Sequence, residues 1–99
     1  MRVISRSKIK AFWEKANYHD SEQPLKAWYD EARHAAWTKP AHIKRQYRNA
    51  SFLANNRVVF NIHGNKYRLI IAVKYEYSMC YIRFIGTHKQ YDKIDAETI

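Results

Sequence analysis

A short polar cluster near the end of the chain combines residue types that could handle a phosphate group. His88 and Tyr91 stand three residues apart, on one side of a helical turn that Thr87 can cap. Imidazole titrates near neutral pH, so it can act as an acid or a base. Arg68, whose guanidinium can offer paired donors to phosphate oxygens, is predicted to lie beside this turn. Such a set could bind and cut a phosphodiester.

Other catalytic signatures are absent. The chain has no carboxylate pair, no Ser-His-Asp order and no HExxH motif, and its five histidines include no pair at i and i+4 that would bind a metal. The single cysteine, Cys80, excludes an internal disulfide and a cysteine zinc site. We therefore expect no metal and no cofactor, and metal-independent chemistry is the enzymatic reading that the sequence supports.

Three strands with alternating apolar residues must position these groups. They are predicted over about 52–63, 66–75 and 79–86, and Gly64-Asn65 forms the turn between the first two. This turn sets the register, with Asn61 opposite Arg68, Val59 opposite Ile70 and Ile62 opposite Tyr67.

The register sorts the side chains onto two faces. One face is apolar and should receive the helices; it contains Val58, Phe60, Ile62, Tyr67, Leu69, Ile71 and Val73. The opposite face is cationic and contains Arg57, Asn61, His63, Lys66, Arg68 and Lys74. A four-residue loop at 76–79 then adds Ile82 and Phe84 to the apolar face, and Tyr81, Arg83 and Thr87 to the cationic one, with Thr87 opposite Arg68. A sheet face whose charged residues are nearly all positive favours phosphate binding.

The first half of the chain is predicted to be helical. Arg2-Val3-Ile4 is a short candidate strand, and apolar residues at helical spacing follow in two segments, from Ser5 or Ser7 to about Asn17 and from Asp20 or Ser21 to Thr38. The basic segment 41–51 is predicted to be a helical turn plus a loop. The fold class is therefore α+β: a short N-terminal strand, a two-helix hairpin packed on an antiparallel sheet of three further strands, and a short C-terminal helical turn.

Length and charge narrow the class of partner. The 99 residues suit one domain, over 1–99, and the formal charge of +9 favours a polyanion. No segment approaches the roughly 20 apolar residues of a membrane span, and no apolar run follows the basic start as a signal peptide requires. We expect a cytoplasmic protein with no membrane partner.

Several motifs of the second half resemble one known family. They are the Phe60–Asn65 pattern, Tyr67-Arg68-Leu69, Tyr81-Ile82-Arg83, and Gly86-Thr87-His88 followed by Tyr91-Asp92. Together they resemble the HigB toxin family, a branch of the RelE-like toxins of type II toxin–antitoxin systems. The resemblance implies a RelE-like domain that cuts mRNA as an mRNA interferase without metal, typically in the A site of the small ribosomal subunit. It also implies a HigA-type helix-turn-helix antitoxin that neutralises the toxin in a hetero-oligomer.

The resemblance also assigns roles. Arg68 matches the arginine that acts on the scissile phosphate, His88 matches a catalytic position after the last strand, Tyr91 lies near a terminal tyrosine of some relatives, and Lys66 matches by position alone. The reaction is attack of a ribose 2′-OH on the adjacent phosphate, with a 2′,3′-cyclic phosphate as product. His88 would be the acid or the base, Tyr91 would stack on a base or orient the nucleotide, and Lys66 would be a base if neighbouring cations lowered its pKa.

A wider set of residues is expected to bind RNA, namely Arg83, Asn61, Asn65, Lys74, Arg57, Arg45 and Arg48, with Lys8 and Lys10 as further candidates on charge. Two alternatives stay open at this point. A non-catalytic RNA- or DNA-binding module would use the same cationic face without the His88 and Tyr91 pair. A plain interaction protein would use its basic surface to bind an acidic partner.

Overall fold

Five strands form one sheet in the computed structural model of the protein, which describes residues 1–99. The strands are β1 (Arg2–Ile4), β2 (Ser51–Leu53), β3 (Arg57–Ile62), β4 (Tyr67–Lys74) and β5 (Met79–Thr87). Their order across the sheet is β1-β5-β4-β3-β2, with β1 parallel to β5 and all other neighbours antiparallel. The helices are α1 (Arg6–Trp13), α2 (Glu22–His34), α3 (Pro40–Gln46) and α4 (His88–Tyr91). The predicted α+β class is confirmed.

The predicted count of three strands after the helices is wrong, because the first of them is two strands. A three-residue turn at 54–56 separates β2 from β3, and Asn55 and Asn56 adopt left-handed φ angles of 62° and 58° there. Asparagine tolerates this conformation better than most residues. The Asn-Asn pair was therefore the sequence signal for this hairpin.

The two predicted helices pack as a hairpin, with shorter bounds than expected. α1 ends at Trp13, and a 3-10 turn over Ala16–Ser21 leads into α2. Ile9, Phe12 and Trp13 of α1 are buried, as are Leu25, Trp28 and Ala32 of α2. The basic segment after α2 forms α3, which begins at Pro40 and buries Ile43. Proline suits this first position because the amide it lacks would be unpaired there.

The predicted register of the central hairpin is confirmed. Asn61 lies opposite Arg68, Val59 opposite Ile70 and Ile62 opposite Tyr67. The expected apolar face is buried against the helices, and its members Val58, Phe60, Ile62, Tyr67, Leu69, Ile71 and Val73 belong to one core cluster. Burial of this apolar area is the main source of stability for the domain.

The predicted register of the last strand is wrong. β5 contains a bulge, because Ile82 pairs with Ile71 while Phe84 pairs with the next residue, Ile70. Arg83 is the extra residue, and it shifts every later side chain to the other face. Phe84 consequently lies on the face away from the helices. The loop before β5 also spans 75–78 rather than the predicted 76–79, and the two differences together place Thr87 opposite Tyr67 rather than opposite Arg68.

The face away from the helices is not the open cationic surface that the sequence predicts. Val59, Ile70 and Ala72 are buried in its centre, at 4%, 0% and 8% exposure. The segment 92–99 returns across this face, where the Ile99 backbone oxygen accepts hydrogen bonds from Arg57 (2.7 Å from Nη2) and from Arg83 (3.2 Å from Nε). The Glu97 oxygen accepts a third, from Asn55 at 3.0 Å. Two of the five predicted cations therefore bind the protein's own backbone.

A buried phenol ties the helical layer to the tip of the central hairpin. Tyr67 donates from its hydroxyl to Asp20 Oδ1 at 2.5 Å, and Lys66 bonds the other oxygen of the same carboxylate. His63 Nε2 lies 3.7 Å from that second oxygen. The hydrogen bond from Lys66, followed by the one from Tyr67, holds the pKa of Asp20 below its ordinary value. The carboxylate is therefore charged over the whole neutral range.

This link predicts a pH-dependent effect of Tyr67→Phe. Removal of this hydrogen bond to a charged group should lower the free energy of unfolding at pH 7. A carboxyl group with a depressed pKa stabilises the fold above its unfolded pKa, 3.8 for Asp20, and loses that effect as pH falls through the folded value. The difference between wild type and Tyr67→Phe should therefore shrink below about pH 4, as measured by urea unfolding from pH 3 to 8. A difference that is constant across this range would contradict the link.

Candidate functional site

Arg68 stands at the centre of one row of residues across three adjacent strands. Its neighbours in the row are Asn61 on β3 and Gly86 on β5. Its guanidinium carbon lies 4.7 Å from the centre of the Tyr91 ring, in a cation–π contact. Arg68 and Tyr91, which the sequence predicts to act together, are therefore in direct contact.

A capping box holds α4, the helix that carries Tyr91 and His88. The Thr87 hydroxyl accepts from Gln90 N at 3.2 Å, and the Gln90 side-chain oxygen accepts from Thr87 N at 2.9 Å. Gln90 Nε2 also donates to the Tyr18 hydroxyl at 3.4 Å, which connects α4 to the 3-10 turn before α2. The predicted helical turn after Thr87 is confirmed, and Gln90 is the residue that fixes it.

Gly86 allows α4 to approach β5 closely. A Cβ atom at this position would lie 2.5 Å from the Gln90 side-chain oxygen and 2.7 Å from Phe84 Cζ. Both distances are shorter than atoms tolerate, so a larger residue would displace the cap or the Phe84 ring. Phe84 in turn meets Tyr91 edge to face, with ring centres 6.4 Å apart.

Two nitrogens in this corner of the molecule are buried and unpaired. Arg68 Nε and His88 Nε2 are inaccessible to solvent and have no hydrogen-bond partner. Buried polar atoms are almost always paired in folded proteins, and a catalytic role is one of the explanations for an exception. The third such atom in the molecule, Trp28 Nε1, lies in the core. We define the catalytic corner, the candidate active site of the protein, as Arg68, His88 and Tyr91.

Lys66 does not meet the condition on which its role as a base depends. Its ammonium bonds Asp20 on the helical side of the hairpin tip. This hydrogen bond raises the pKa of Lys66, whereas a general base needs a lowered one. The expected lowering by neighbouring cations is therefore wrong, because the nearest charged group is a carboxylate.

The wider set of predicted RNA-binding residues is scattered. Asn61 is adjacent to Arg68, and Asn65 is exposed in the neighbouring turn. Lys74 lies six residues along β4 from Arg68, about 20 Å away, while Arg57 and Arg83 bind the Ile99 oxygen. Arg45 is exposed on α3, and Arg48 is exposed just after that helix.

Sequence reasoning missed Gln90, Gly86 and Asp20. The pattern Thr87-x-x-Gln90 is the signature of a capping box, so Gln90 could have been found. The short contacts of Gly86 and the hydrogen bonds of Asp20 depend on tertiary packing, for which a single sequence has no local signal. No three His, Cys, Asp or Glu side chains come together as a metal-binding group, and none of the helices is both long and apolar enough to cross a membrane.

Comparison with known proteins gives consistent matches. A family model described as "HigB_toxin, RelE-like toxic component of a toxin-antitoxin system" matches residues 21–94. The chain is 33% identical over 99 residues to a protein of Escherichia coli K12 named "mRNA interferase toxin HigB", a match that covers 97% of this chain and 92% of that protein. Proteins named "mRNA interferase HigB" from Escherichia coli O157:H7 and Shigella flexneri match with the same identity and coverage. This chain belongs to the HigB family of RelE-like toxins.

Proposed function

We propose that this protein is a toxin that cuts mRNA as an endoribonuclease and so inhibits translation. The observation that carries this proposal is the catalytic corner, where an imidazole and a guanidinium nitrogen are buried without partners beside Tyr91. The mRNA interferase names of the relatives support the same activity. The range of possible chemistries is narrow here, because the corner offers a proton carrier and a cation but no nucleophilic side chain.

The reaction uses the RNA's own 2′-hydroxyl as the nucleophile. The bond from O2′ to phosphorus forms, the bond from phosphorus to O5′ breaks, and the products are a 2′,3′-cyclic phosphate and a free 5′-hydroxyl. His88 accepts the proton that leaves O2′ and returns it to O5′, so the proton balance closes within one residue. His88 is half-buried, and its side chain makes no hydrogen bond within the protein.

Arg68 stabilises the charge that develops on the phosphate. Its side chain forms no hydrogen bond or ion pair with another protein group, and its guanidinium carbon lies 4.7 Å from the centre of the Tyr91 ring. A preoriented cation needs little rearrangement as negative charge grows on the phosphoryl oxygens, which is how such groups lower the barrier. Tyr91 orients this arginine and the bound nucleotide.

Substrate presentation by the ribosome fits the shape of this surface. The molecule has three grooves, and none of them is lined by Arg68, His88 or Tyr91. An open corner cannot enclose a flexible RNA strand by itself, so we infer that the A site of the small subunit presents the message. This action requires a cytoplasmic location. We also infer that a HigA-type helix-turn-helix antitoxin neutralises the toxin by forming a hetero-oligomer with it.

His88→Ala should abolish cleavage without unfolding the protein. Loss of the proton carrier should lower the cleavage rate by about 100- to 10,000-fold. The measurement is the mapping of new mRNA ends in a translating extract, with growth arrest on induction as a second readout. His34→Ala, which removes an exposed histidine on α2, is the matched control. A folded His88→Ala protein that still arrests growth would refute the assignment, and a wild type that binds ribosomes but creates no new ends would leave a non-catalytic RNA-binding module.

Arg68→Lys should slow cleavage by about 100-fold, because an ammonium cannot supply paired donors in a fixed plane. Single-turnover rates at saturating toxin isolate this effect from substrate binding. Arg33→Lys makes the same change on an exposed arginine of α2 that pairs with Asp30, and it should cleave at the wild-type rate. Equal rates for the two variants would show that the bidentate geometry of Arg68 is not used.

Gln90→Ala should reduce cleavage through the position of α4. The substitution removes the half of the capping box that Thr87 N donates to, and it loosens the turn that carries His88 and Tyr91. Gln90→Glu retains an oxygen acceptor for Thr87 N and should restore most of the single-turnover rate. Gln23→Ala on α2 controls for loss of an exposed glutamine side chain. Full activity of folded Gln90→Ala would exclude this positioning role.

A further inference from the structure

The edge of the sheet next to the catalytic corner has an unpaired stretch of backbone. The pairing of β2 with β3 stops at Ser51 opposite Val59, so no strand lies beside Asn61. Val73 N donates to Asn56 O at 2.9 Å, which assigns the even-numbered residues of β3 to hydrogen bonds with β4. Odd-numbered residues point the other way in an antiparallel ladder. The N–H and C=O groups of Asn61 therefore point to the open edge, and its side chain is also exposed.

A groove of about 320 Å³ opens at this edge. It is lined by Tyr47, Arg48, Asn49, Ala50, Phe60, Asn61 and Gly64. Hydrogen bonds hold two of the lining residues in place. The Tyr47 hydroxyl donates to Glu31, and the Ala50 backbone oxygen accepts from Lys44 at 2.9 Å. Arg48 is exposed and makes no ion pair in the molecule. The groove thus combines a free guanidinium with the donors and acceptors of two asparagines.

The groove lies within the part of the chain that carries the excess positive charge. Residues 32–75 contain none of the nine acidic residues of the protein. They contain half of its 18 basic ones, namely Arg33, Lys39, Lys44, Arg45, Arg48, Arg57, Lys66, Arg68 and Lys74. Outside this segment the basic and acidic residues are equal in number, so the whole net charge of +9 resides here. The positive charge that would attract a polyanion is therefore carried by the segment that also lines the groove.

The groove is also adjacent to the catalytic corner. Asn61 pairs directly with Arg68, and Arg68 pairs with Gly86, two residues before His88. Paired residues on adjacent antiparallel strands have Cα atoms about 5 Å apart. A strand of RNA whose phosphate lies on Arg68 therefore reaches the Asn61 edge within about one nucleotide.

We propose that this groove is a subsite for the nucleotide that flanks the scissile phosphate. Arg48 binds the backbone phosphate of that nucleotide, and Asn61 reads the edge of its base through an amide side chain and an open backbone N–H and C=O. The inference rests on the proposed RNA cleavage and deepens it, because it assigns base preference to a site outside the catalytic corner. A protein strand added to the sheet edge would find only one residue of free backbone, whereas strand addition uses a longer ladder.

The test is to incubate the toxin with purified ribosomes that carry one of four synthetic messages. The messages differ only in the base next to the cleaved bond, and cleavage of each message is measured. Asn61→Ala should reduce the difference in kcat/KM between the best and worst base by about fivefold or more, since a paired base contact supplies at least that discrimination. Arg48→Ala should weaken the binding of all four messages to the same extent, and it should lower the slope of log affinity against log salt concentration by about 1. Lys39→Ala removes an exposed cation outside the groove and should leave the base preference intact. Thermal unfolding verifies that each variant is folded.

The outcomes separate this inference from the proposed function. If Arg48→Ala behaves like Lys39→Ala and Asn61→Ala retains the wild-type base preference, the groove is not a nucleotide subsite, although the nuclease assignment stands. If the groove variants cleave normally but escape neutralisation by the antitoxin, the groove binds a protein and the inference is wrong. If the wild type cuts none of the messages, it is the proposed cleavage itself that fails. Asn61→Ser, which retains a small polar side chain, replaces Asn61→Ala should that variant unfold.

Discussion

The catalytic corner depends on one close contact between α4 and β5 at Gly86. Because this residue lacks a Cβ, the Gln90 side chain can fold back over the strand and cap the helix at Thr87. The cap fixes the first turn of α4, and this turn carries both His88 and Tyr91. Arg68 then packs on Tyr91 from the neighbouring strand. Sheet register and helix cap thus jointly define a site that neither element could form alone.

The cations of this protein divide into two groups with different physical roles. Arg57 and Arg83 bind the Ile99 oxygen and hold the segment 92–99 over buried Val59 and Ile70. Lys66 is paired with Asp20 at the other end of the hairpin. Arg68 and Arg48 have no acidic partner, so their charge remains available to a ligand. Net charge alone therefore indicates a polyanionic partner but does not identify the residues that contact it.

The central hairpin could be predicted because its signals are local and agree with one another. The Gly64 turn, the strict alternation after Val58 and the apolar face all imply one register, which the structure has. The Thr87 cap was predictable for the same reason, since it depends on residues that are close in sequence. Arg68 and Tyr91, which these two features predict to lie together, are in contact.

The bulge at Arg83 could not be predicted, because alternation continues plausibly on either side of it. A single inserted residue reverses the faces of Phe84 and Thr87, and only the packing of β5 against both β4 and α4 favours the insertion. The error did not change the predicted turn after Thr87, because that turn lies beyond the strand and depends on its own cap. In the same way, the return of segment 92–99 depends on long-range hydrogen bonds, which leave no pattern in the local sequence.

The unpaired nitrogens of the corner suggest why its arginine stacks on an aromatic ring. A buried Nε atom without a partner costs about 1–3 kcal/mol, while a cation–π contact returns about 0.5–2 kcal/mol. Tyr91 therefore offsets much of the cost of holding Arg68 ready for a phosphate, without using any of its hydrogen-bond donors. A carboxylate in the same place would stabilise the arginine further but would compete with the RNA for it. The aromatic ring thus permits a cation that is fixed in orientation and still free to bind substrate.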